Sequence, residues 1–347
     1  MSALLLRPYI EQNKYDIDCF RPADAYVLPD LFRRTYGEHY LVGEVYDPAH
    51  YWRANADGSA ISLVARGRDG LPAGHLGLLA SPPYRGVREV GQGVINPAYR
   101  GQGVLNALID RAVTMAEAEP GCCGLFGASL TNHTLSQRSV WRAEFVDVGF
   151  EIGFVPARMM EIEAKATGPV ATCVQYRAFG DVPQQQTFLP AAYRDLLLHL
   201  FDHLGLRRVF DAPDGSLDQT GRARVGTQDL PRFDLMRLTV HRSGHDLAAI
   251  IAEAERQARA NGREMMQVTL ELGSPASDAA CQTLRNAGFW FGALLPRWFD
   301  DDALLLQKSL GQPNFEGIEA FTNDAKALLR FIRTDAERQM ALAERGI

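Results

Sequence analysis

The chain has 347 residues, 46% hydrophobic and 22% charged, which is the balance of a globular protein long enough for two domains of ordinary size. A net charge of −6 argues against a nucleic-acid scaffold, whose footprint is basic. No stretch approaches the roughly 20 apolar residues that span a bilayer, so no membrane partner is expected. The start, "MSALLLRPYIEQNKYD", lacks a basic flank and a long apolar run, so it does not read as a signal peptide. Cys19, Cys122, Cys123, Cys173 and Cys281 show no metal-ligand or redox spacing. They read as small buried residues in a reducing, cytoplasmic compartment, and no metal is expected.

In chain order, "YDIDCF" predicts a short strand and a helix begins near Ala23. "AISLVARGRDGLPAGHLGLLASPP" alternates around "RDG" and predicts a hairpin. "VREVGQGVI" is a strand closed by Pro97, and "GVLNALIDRAVTMAEAE" puts Val104, Leu108, Ile109, Ala112 and Met115 on one helical stripe. "CGLFGASL" is a strand, "TLSQRSVWRAEF" a short helix, and "FEIGFVPARMMEIEA" closing strand material. This β-α-β-β-β-α-β-α-β order fills residues 15 to 166, and a Thr-Gly-Pro break follows at 167–169. A second run opens with "ATCVQYRAF" as a strand, then the amphipathic helix "LPAAYRDLLLHLFDHLGL" and the strand "FDLMRLTVH". Next come the helix "HDLAAIIAEAERQARANG", the strand "MMQVTLEL", the helix "ASDAACQTLRNAGF" and the strand "DALLLQKSL". A long charged helix, docked at one end, closes the chain.

The two runs correspond. "SQRSVWRAEF" ends at Phe145 and "ACQTLRNAGF" at Phe289, and at the same offset "GLFGASL" falls on "VTLELGS". The fold class predicted is α/β (α+β), with two related units, each a mixed, mostly antiparallel sheet flanked by helices. The expected boundaries are 1–166, 167–312 and a helical segment 313–347.

"NPAYRGQGVLNALI" (96–109) joins strand to helix in the first run only. Pro97 cannot donate to a ladder and ends pairing, while Gly101 and Gly103 let a ligand approach the main chain. Free N–H groups before a helix form an anion-binding concavity, and Arg100 adds a guanidinium suited to phosphate. The glycine spacing is neither that of a dinucleotide fingerprint nor that of a P-loop.

"VINPAYRGQGVLNALI" resembles the acyl-CoA-binding signature of the GNAT superfamily of N-acyltransferases. The resemblance implies that the Ile95 backbone pairs with the pantetheine arm of acetyl-CoA or another acyl-CoA. It also implies that Arg100, Gly101, Gln102, Gly103, Val104 and Leu105 line the pyrophosphate, although Leu105 stands where the family has Gly or Ala. "TNHTLSQRSVWRAEF" resembles the second CoA motif, which puts Asn132 and Ser136 beside the pantetheine and phosphates; Ser136 is also readable as a helix cap or buried hydroxyl, and His133 as a candidate base. Many members end this helix in Gly-Phe. Glu144-Phe145 is aligned to that pair, with Gly149-Phe150 as the rival register. The tyrosine that protonates the leaving thiolate then becomes Val140, or Phe145 in the rival register, and neither can donate a proton.

A protonated amine must lose a proton before it attacks a thioester. Glu89, where the family often keeps a carboxylate, is the candidate catalytic base. The second run has "TVHRSGHDLAA" in place of the motif, with Asp246 as a helix cap that would repel phosphate, so it is expected to bind no CoA and to serve as partner, acceptor-site wall or lid. Trp290, Phe291, Trp298 and Phe299 read as core and inter-domain packing, and "DDD" at 300–302 as a solvated turn. The function implied is transfer of an acyl group, most simply acetyl, to a small amine or a protein amine. The alternatives are a CoA-sensing module without transfer, or an acyl-CoA decarboxylase on the same fold. A homodimer is left open.

Overall fold

The computed structural model describes residues 14–159, 168–180 and 184–344. The first half runs β1 (Tyr15–Cys19), α1 (Asp24–Tyr36), α2 (Pro48–Asp57), β2 (Ala60–Gly67), β3 (Pro72–Leu79), β4 (Val87–Ile95), α3 (Val104–Ala118), β5 (Gly124–Leu130), α4 (Leu135–Arg142), β6 (Val146–Val155) and β7 (Val170–Ala178). The second runs β8 (Gln185–Phe188), α5 (Arg194–His203), β9 (Arg208–Asp211), β10 (Arg224–Leu230), β11 (Leu235–Arg242), α6 (Leu247–Ala260), β12 (Met265–Glu271), α7 (Ser277–Asn286), β13 (Trp290–Leu295), β14 (Ala303–Ser309) and α8 (Asn323–Glu344). Sequence reading passes over α2, although its start is clearly marked. Asp47 accepts the Ala49 N–H at 2.9 Å and Pro48 takes the first helical position.

Twelve strands form one sheet in the order β1-β2-β3-β4-β5-β7-β6-β13-β14-β12-β11-β10. Only β4–β5 and β11–β12 are parallel within it. From the centre outward, β6-β7-β5-β4-β3 and β13-β14-β12-β11-β10 repeat the same succession of antiparallel and parallel pairings. β8 and β9 form a separate parallel pair.

In the first half α3 buries Val104, Leu108, Ile109 and Ala112 against Leu63, Leu76, Leu78, Val90 and Leu125 of the sheet. Helices α1 and α2 pack with Val64 and Val94 through Leu28, Phe32 and Tyr51. Because β4 supplies Val90 to one cluster and Val94 to the other, its two faces serve two layers.

The halves meet where β6 runs antiparallel to β13, with Ala293 opposite Gly149. A Cβ on Gly149 would run into Gly292 O and Ala293, so this glycine answers a close backbone approach in mid-strand. Beyond that pair, the buried Gln307 side chain of β14 takes over. It accepts the Ile152 N–H at 2.9 Å and donates to Phe150 O at 2.9 Å and Phe291 O at 3.3 Å.

The ends of α4 and α7 also match. Phe145 N–H bonds Val140 O at 3.2 Å and Phe289 N–H bonds Leu284 O at 3.1 Å. Glu144 and Gly288 both adopt positive φ, 63° and 88°. Glu144 therefore occupies the position of the helix-ending glycine, while Gly149 belongs to the seam.

Two features depart from expectation. The strand Val170–Ala178, read as opening the second half, lies between β5 and β6 and completes the first. Helix α8 is docked along its length rather than at one end: Ala325, Leu328, Ile332 and Ala336 are buried, and it packs on β6 and β13 across the seam. The strand tail expected to Ala164, the boundary placed between 166 and 167, and the opening residues 1–13 lie outside the described residues. All five cysteines are free, and no described helix is long and apolar enough to cross a membrane.

Gln307→Leu leaves Phe150 C=O and Ile152 N–H buried without partners. At about 1–3 kcal/mol per orphaned group, we expect a loss of roughly 2–6 kcal/mol, read from the urea unfolding midpoint.

Candidate active site

β4 and β5 run in parallel register from Val87–Gly124 to Val90–Gly127 and pair no further. Beyond Val90, β4 bulges. His75 faces Val94 and Gly77 faces Gly91, so β4 carries one extra residue there, and Gln92 takes φ 52°. The His75 ring holds this bulge through Nδ1 to Gln92 O at 2.9 Å. β5 turns its other edge to β7 along its whole length, from Gly124–Ala178 to Leu130–Thr172. A wedge thus opens beside residues 91–95. Asn96 N–H bonds Ala73 O on β3, so alternation turns the backbone groups of Ile95 and Gly93 toward the wedge.

At the top of the wedge sits the 96–105 loop. The Asn96 side chain accepts the Ala98 N–H at 3.1 Å and donates to Pro72 O at 3.2 Å, which fixes the short turn Pro97–Tyr99. Gly101 and Gly103 have φ of 74° and 78°, and a Cβ on Gly101 would meet nothing within 4 Å. Val104 opens α3 under Gly103, which supplies no side-chain cap, so the first-turn N–H groups have no intrahelical partner. Arg100 is exposed beside them. Gln102 donates through Nε2 to Ala98 O, and its buried Oε1 has no partner among the described residues. Leu105 points to β4: its Cδ1 would lie 3.9 Å from a Cβ on Gly93. The leucine therefore pads the wedge floor beside the bulge.

Across the wedge, the turn after β5 carries Asn132 and Ser136. Ser136 does not cap α4, and its buried Oγ has no partner among the described residues. His133 Nδ1 instead faces the Leu135 N–H at 3.4 Å. The segment before α8 braces this turn: Glu319 N–H bonds Thr131 O at 2.8 Å, and Gln137 bonds Glu319 O and Phe321 N–H. Val140 is buried.

Glu89 lies two residues before the bulge, opposite Leu79 and Phe126. Burial pushes its carboxyl up, with Glu151 adding to the effect and a Ser81 hydrogen bond and Arg237 opposing it. Glu151 on β6 accepts from Thr172 at 2.9 Å and from Gln267 at 2.9 Å, and it pairs with Arg237 at 3.5 Å. Tyr36, Tyr40 and Phe32 cluster in tilted and edge-to-face contacts at the end of α1, and burial together with nearby Tyr36, Tyr51 and Glu89 raises the Tyr40 phenol. The turn before β11 reaches the same region. Arg232 donates to Tyr40 O at 2.5 Å, Phe233 stacks on Phe154 at 5.0 Å, and Arg158 pairs with Asp234. Glu38, His39, Arg158, Met159 and Arg232 line a cavity there. None of these α1, β6 or second-half residues was singled out in sequence. The available signal was the four-residue spacing of Phe32, Tyr36 and Tyr40.

Residues 25–140 match the profile of the Acetyltransferase (GNAT) family. That stretch, about a third of the chain, is similar to the GNAT acetyltransferase family. Among solved structures, a phosphinothricin acetyltransferase from Sinorhizobium meliloti in complex with AcCoA is 17% identical, with a TM-score of 0.42 over 49% of this chain and 91% of that one. The ribosomal-protein-S5-alanine acetyltransferase of Vibrio fischeri is 11% identical, with 0.39 over 48% and 93%. A spermidine N-acetyltransferase of Vibrio cholerae is 14% identical, with 0.38 over 48% and 94%. No curated protein sequence matches the chain.

The second half departs from the first at each of these points. β11 and β12 stay paired from Leu235–Met265 to Val240–Leu270, so no comparable wedge opens. Asp246 does not cap α6, contrary to the sequence reading. Its carboxylate accepts the Ala223 N–H at 2.7 Å, and that bond holds it below the usual range. The chain at 221–223 packs so closely on Gly244 that a Cβ there would strike Gly221 O and Ala223 N. The space that the first half leaves open above Gly101 is here filled by the protein itself. Trp298 T-stacks on Phe126 at 5.4 Å and Phe299 lies 6.2 Å from His241. Among the described residues no cluster of three His, Cys, Asp or Glu is placed to hold a metal.

His75 supports the bulge as a neutral ring. It is fully buried, and burial lowers its pKa from 6.5 to about 4. Between those values the unfolded chain binds a proton that the folded one refuses, so stability falls as pH drops through the window, by about 3 kcal/mol in all. His75→Gln carries no such proton. We expect its urea midpoint to fall less than wild type's between pH 7 and pH 5.

Proposed function

We propose that the chain transfers an acyl group, most simply acetyl, from an acyl-CoA thioester to a primary amine. The observation that carries this reading is the wedge between β4 and β5, closed at its top by a loop whose glycines and helix start leave backbone N–H groups open. The residues fit the donor. Gly101, Gly103, Val104 and Leu105 would hold the pyrophosphate through amides, with Arg100 as countercharge. The unpartnered oxygens of Gln102 and Ser136 lie where polar groups of the donor would meet them, Asn132 borders the same opening, and Ile95 presents its backbone to the pantetheine arm. The thioester supplies the activated acyl group; the protein supplies position and proton transfer.

Glu89 is the proposed base. Its raised carboxyl is matched to taking a proton from an ammonium, directly or through water. The second half contributes the acceptor-site wall through Arg232, Phe233 and Arg237, and we read it as a duplicate of the GNAT unit that has lost its donor loop. The division we favour places the boundary after β7, in the 179–184 connection. Cytoplasmic placement and a homodimer remain part of the proposal.

The test is native mass spectrometry with acetyl-CoA, followed by thiol release with n-butylamine, spermidine or a lysine peptide. Arg100→Ala combined with Gly103→Asp is expected to abolish acetyl-CoA binding; unchanged binding overturns the loop assignment. Val140, at the usual tyrosine position, favours a second reading in which the thioester is bound and sensed but not transferred. That reading predicts thermal stabilisation by acetyl-CoA with no thiol release. Carbon dioxide release from a malonyl thioester would point instead to a decarboxylase.

Glu89→Gln is expected to lower kcat by about 10²–10⁴-fold. Because the base works ionised, wild-type activity should fall as pH drops through its raised pKa, and this acidic limb should disappear in the variant's pH–rate profile.

A further inference from the structure

The GNAT half carries Val140, an aliphatic buried side chain, where an acid for the leaving thiolate would ordinarily stand. The thiolate still needs a proton, and the structure brings another phenol to the wedge. Tyr36 closes α1, and its hydroxyl donates to Gly93 O at 3.5 Å. Gly93 belongs to the bulge, and its carbonyl faces the edge of β4 that β5 has left. The Tyr36 hydroxyl therefore sits at the margin of the gap in which a thioester laid along the open edge of β4 would lie. Its ring is held at 6.3 Å from Phe32 and 5.1 Å from Tyr40, and α1 is anchored in the core through Leu28 and Phe32.

Other described tyrosines are placed elsewhere. Tyr15 donates to Gln102 O in the loop, and Tyr46 accepts the Tyr40 N–H. Tyr51 and Tyr176 have buried hydroxyls in the core, and Tyr84 accepts from Arg297. Tyr40 shares the surroundings of Glu89, whose charge raises its phenol further.

We propose that Tyr36 is the general acid of the transfer, supplied from α1 in place of the α4 tyrosine; this rests on the transferase reading above. In the step, the acceptor nitrogen bonds to the thioester carbonyl carbon. The C–S bond breaks with its electron pair going to sulfur, and the Tyr36 O–H proton passes to that sulfur. The amine's proton leaves by way of Glu89, and solvent reprotonates the phenolate.

The test compares wild type, Tyr36→Phe and Tyr51→Phe in thiol release from acetyl-CoA with the same three amines, alongside acetyl-CoA affinity by calorimetry. Tyr36→Phe is expected to lose about 10²-fold or more in kcat, with acetyl-CoA affinity within twofold of wild type. It should also lose the alkaline limb that loss of the phenol proton imposes on the wild-type pH–rate profile. Tyr51→Phe, which removes from the same aromatic cluster a hydroxyl that has no partner among the described residues, should match wild type. Turnover of Tyr36→Phe within twofold of wild type, or a loss confined to KM, overturns the acid assignment and leaves the transferase reading standing. If wild type binds acetyl-CoA yet releases no thiol with any of the amines, the transferase reading itself falls and takes this role with it.

Discussion

Past Val90 and Gly127, two parallel strands that have exchanged hydrogen bonds let go of each other. The cause is local. β4 carries an extra residue at Gln92–Gly93, which bends the strand away, and β5 keeps its remaining edge on β7. The backbone groups of Gly93 and Ile95 are left facing a gap, and an unsatisfied strand edge is a template for an extended ligand. The loop's placement above the gap and the approach of α1 from the opposite face both follow from that opening. So does the buried, neutral His75 beneath the bulge, since a charged ring there would lack both water and a counterion.

The seam sets the second half's relation to this gap. β6 and β13 share one backbone pair, a glycine close approach and the amide of Gln307, and α8 lies across both strands. Through that continuity the turn before β11 arrives beside the end of α1, where Arg232 holds the Tyr40 carbonyl. The second half thus repeats the order of strand pairings of the first and meets it at one seam. Its own parallel pair stays closed, and its chain at 221–223 fills the space above Gly244.

Much of this was legible in the chain. The Pro97–Gly103 stretch announces its shape because proline and glycine constrain the backbone in ways that do not depend on neighbours. The α3 stripe is likewise a property of spacing. The match between Phe145 and Phe289 survives as a common helix end, even though Glu144 must take a positive φ that Gly288 takes freely. The placement of "ATCVQYRAF" was not legible. A strand shows its length and apolar face, but its neighbours are chosen by the whole sheet, and this one inserts between β5 and β6 after a long connection. The docking of α8 escaped for a related reason: its charged residues other than the buried Asp335 line the outward side, while Ala325, Leu328, Ile332 and Ala336 meet a surface made jointly by both halves.

By itself, then, the sequence determined a glycine-bearing strand-to-helix loop in the first half, its absence from the second, and the alternation of elements on which both halves are built. These are local matters of backbone freedom and periodicity. The tertiary structure alone decided which side chains share the cleft. Tyr36, Glu89, Glu151, Arg232 and Arg237 come from α1, β4, β6, the turn before β11, and β11, up to two hundred residues apart. No spacing rule links them, because their proximity comes from strand order and from one seam in a twelve-stranded sheet.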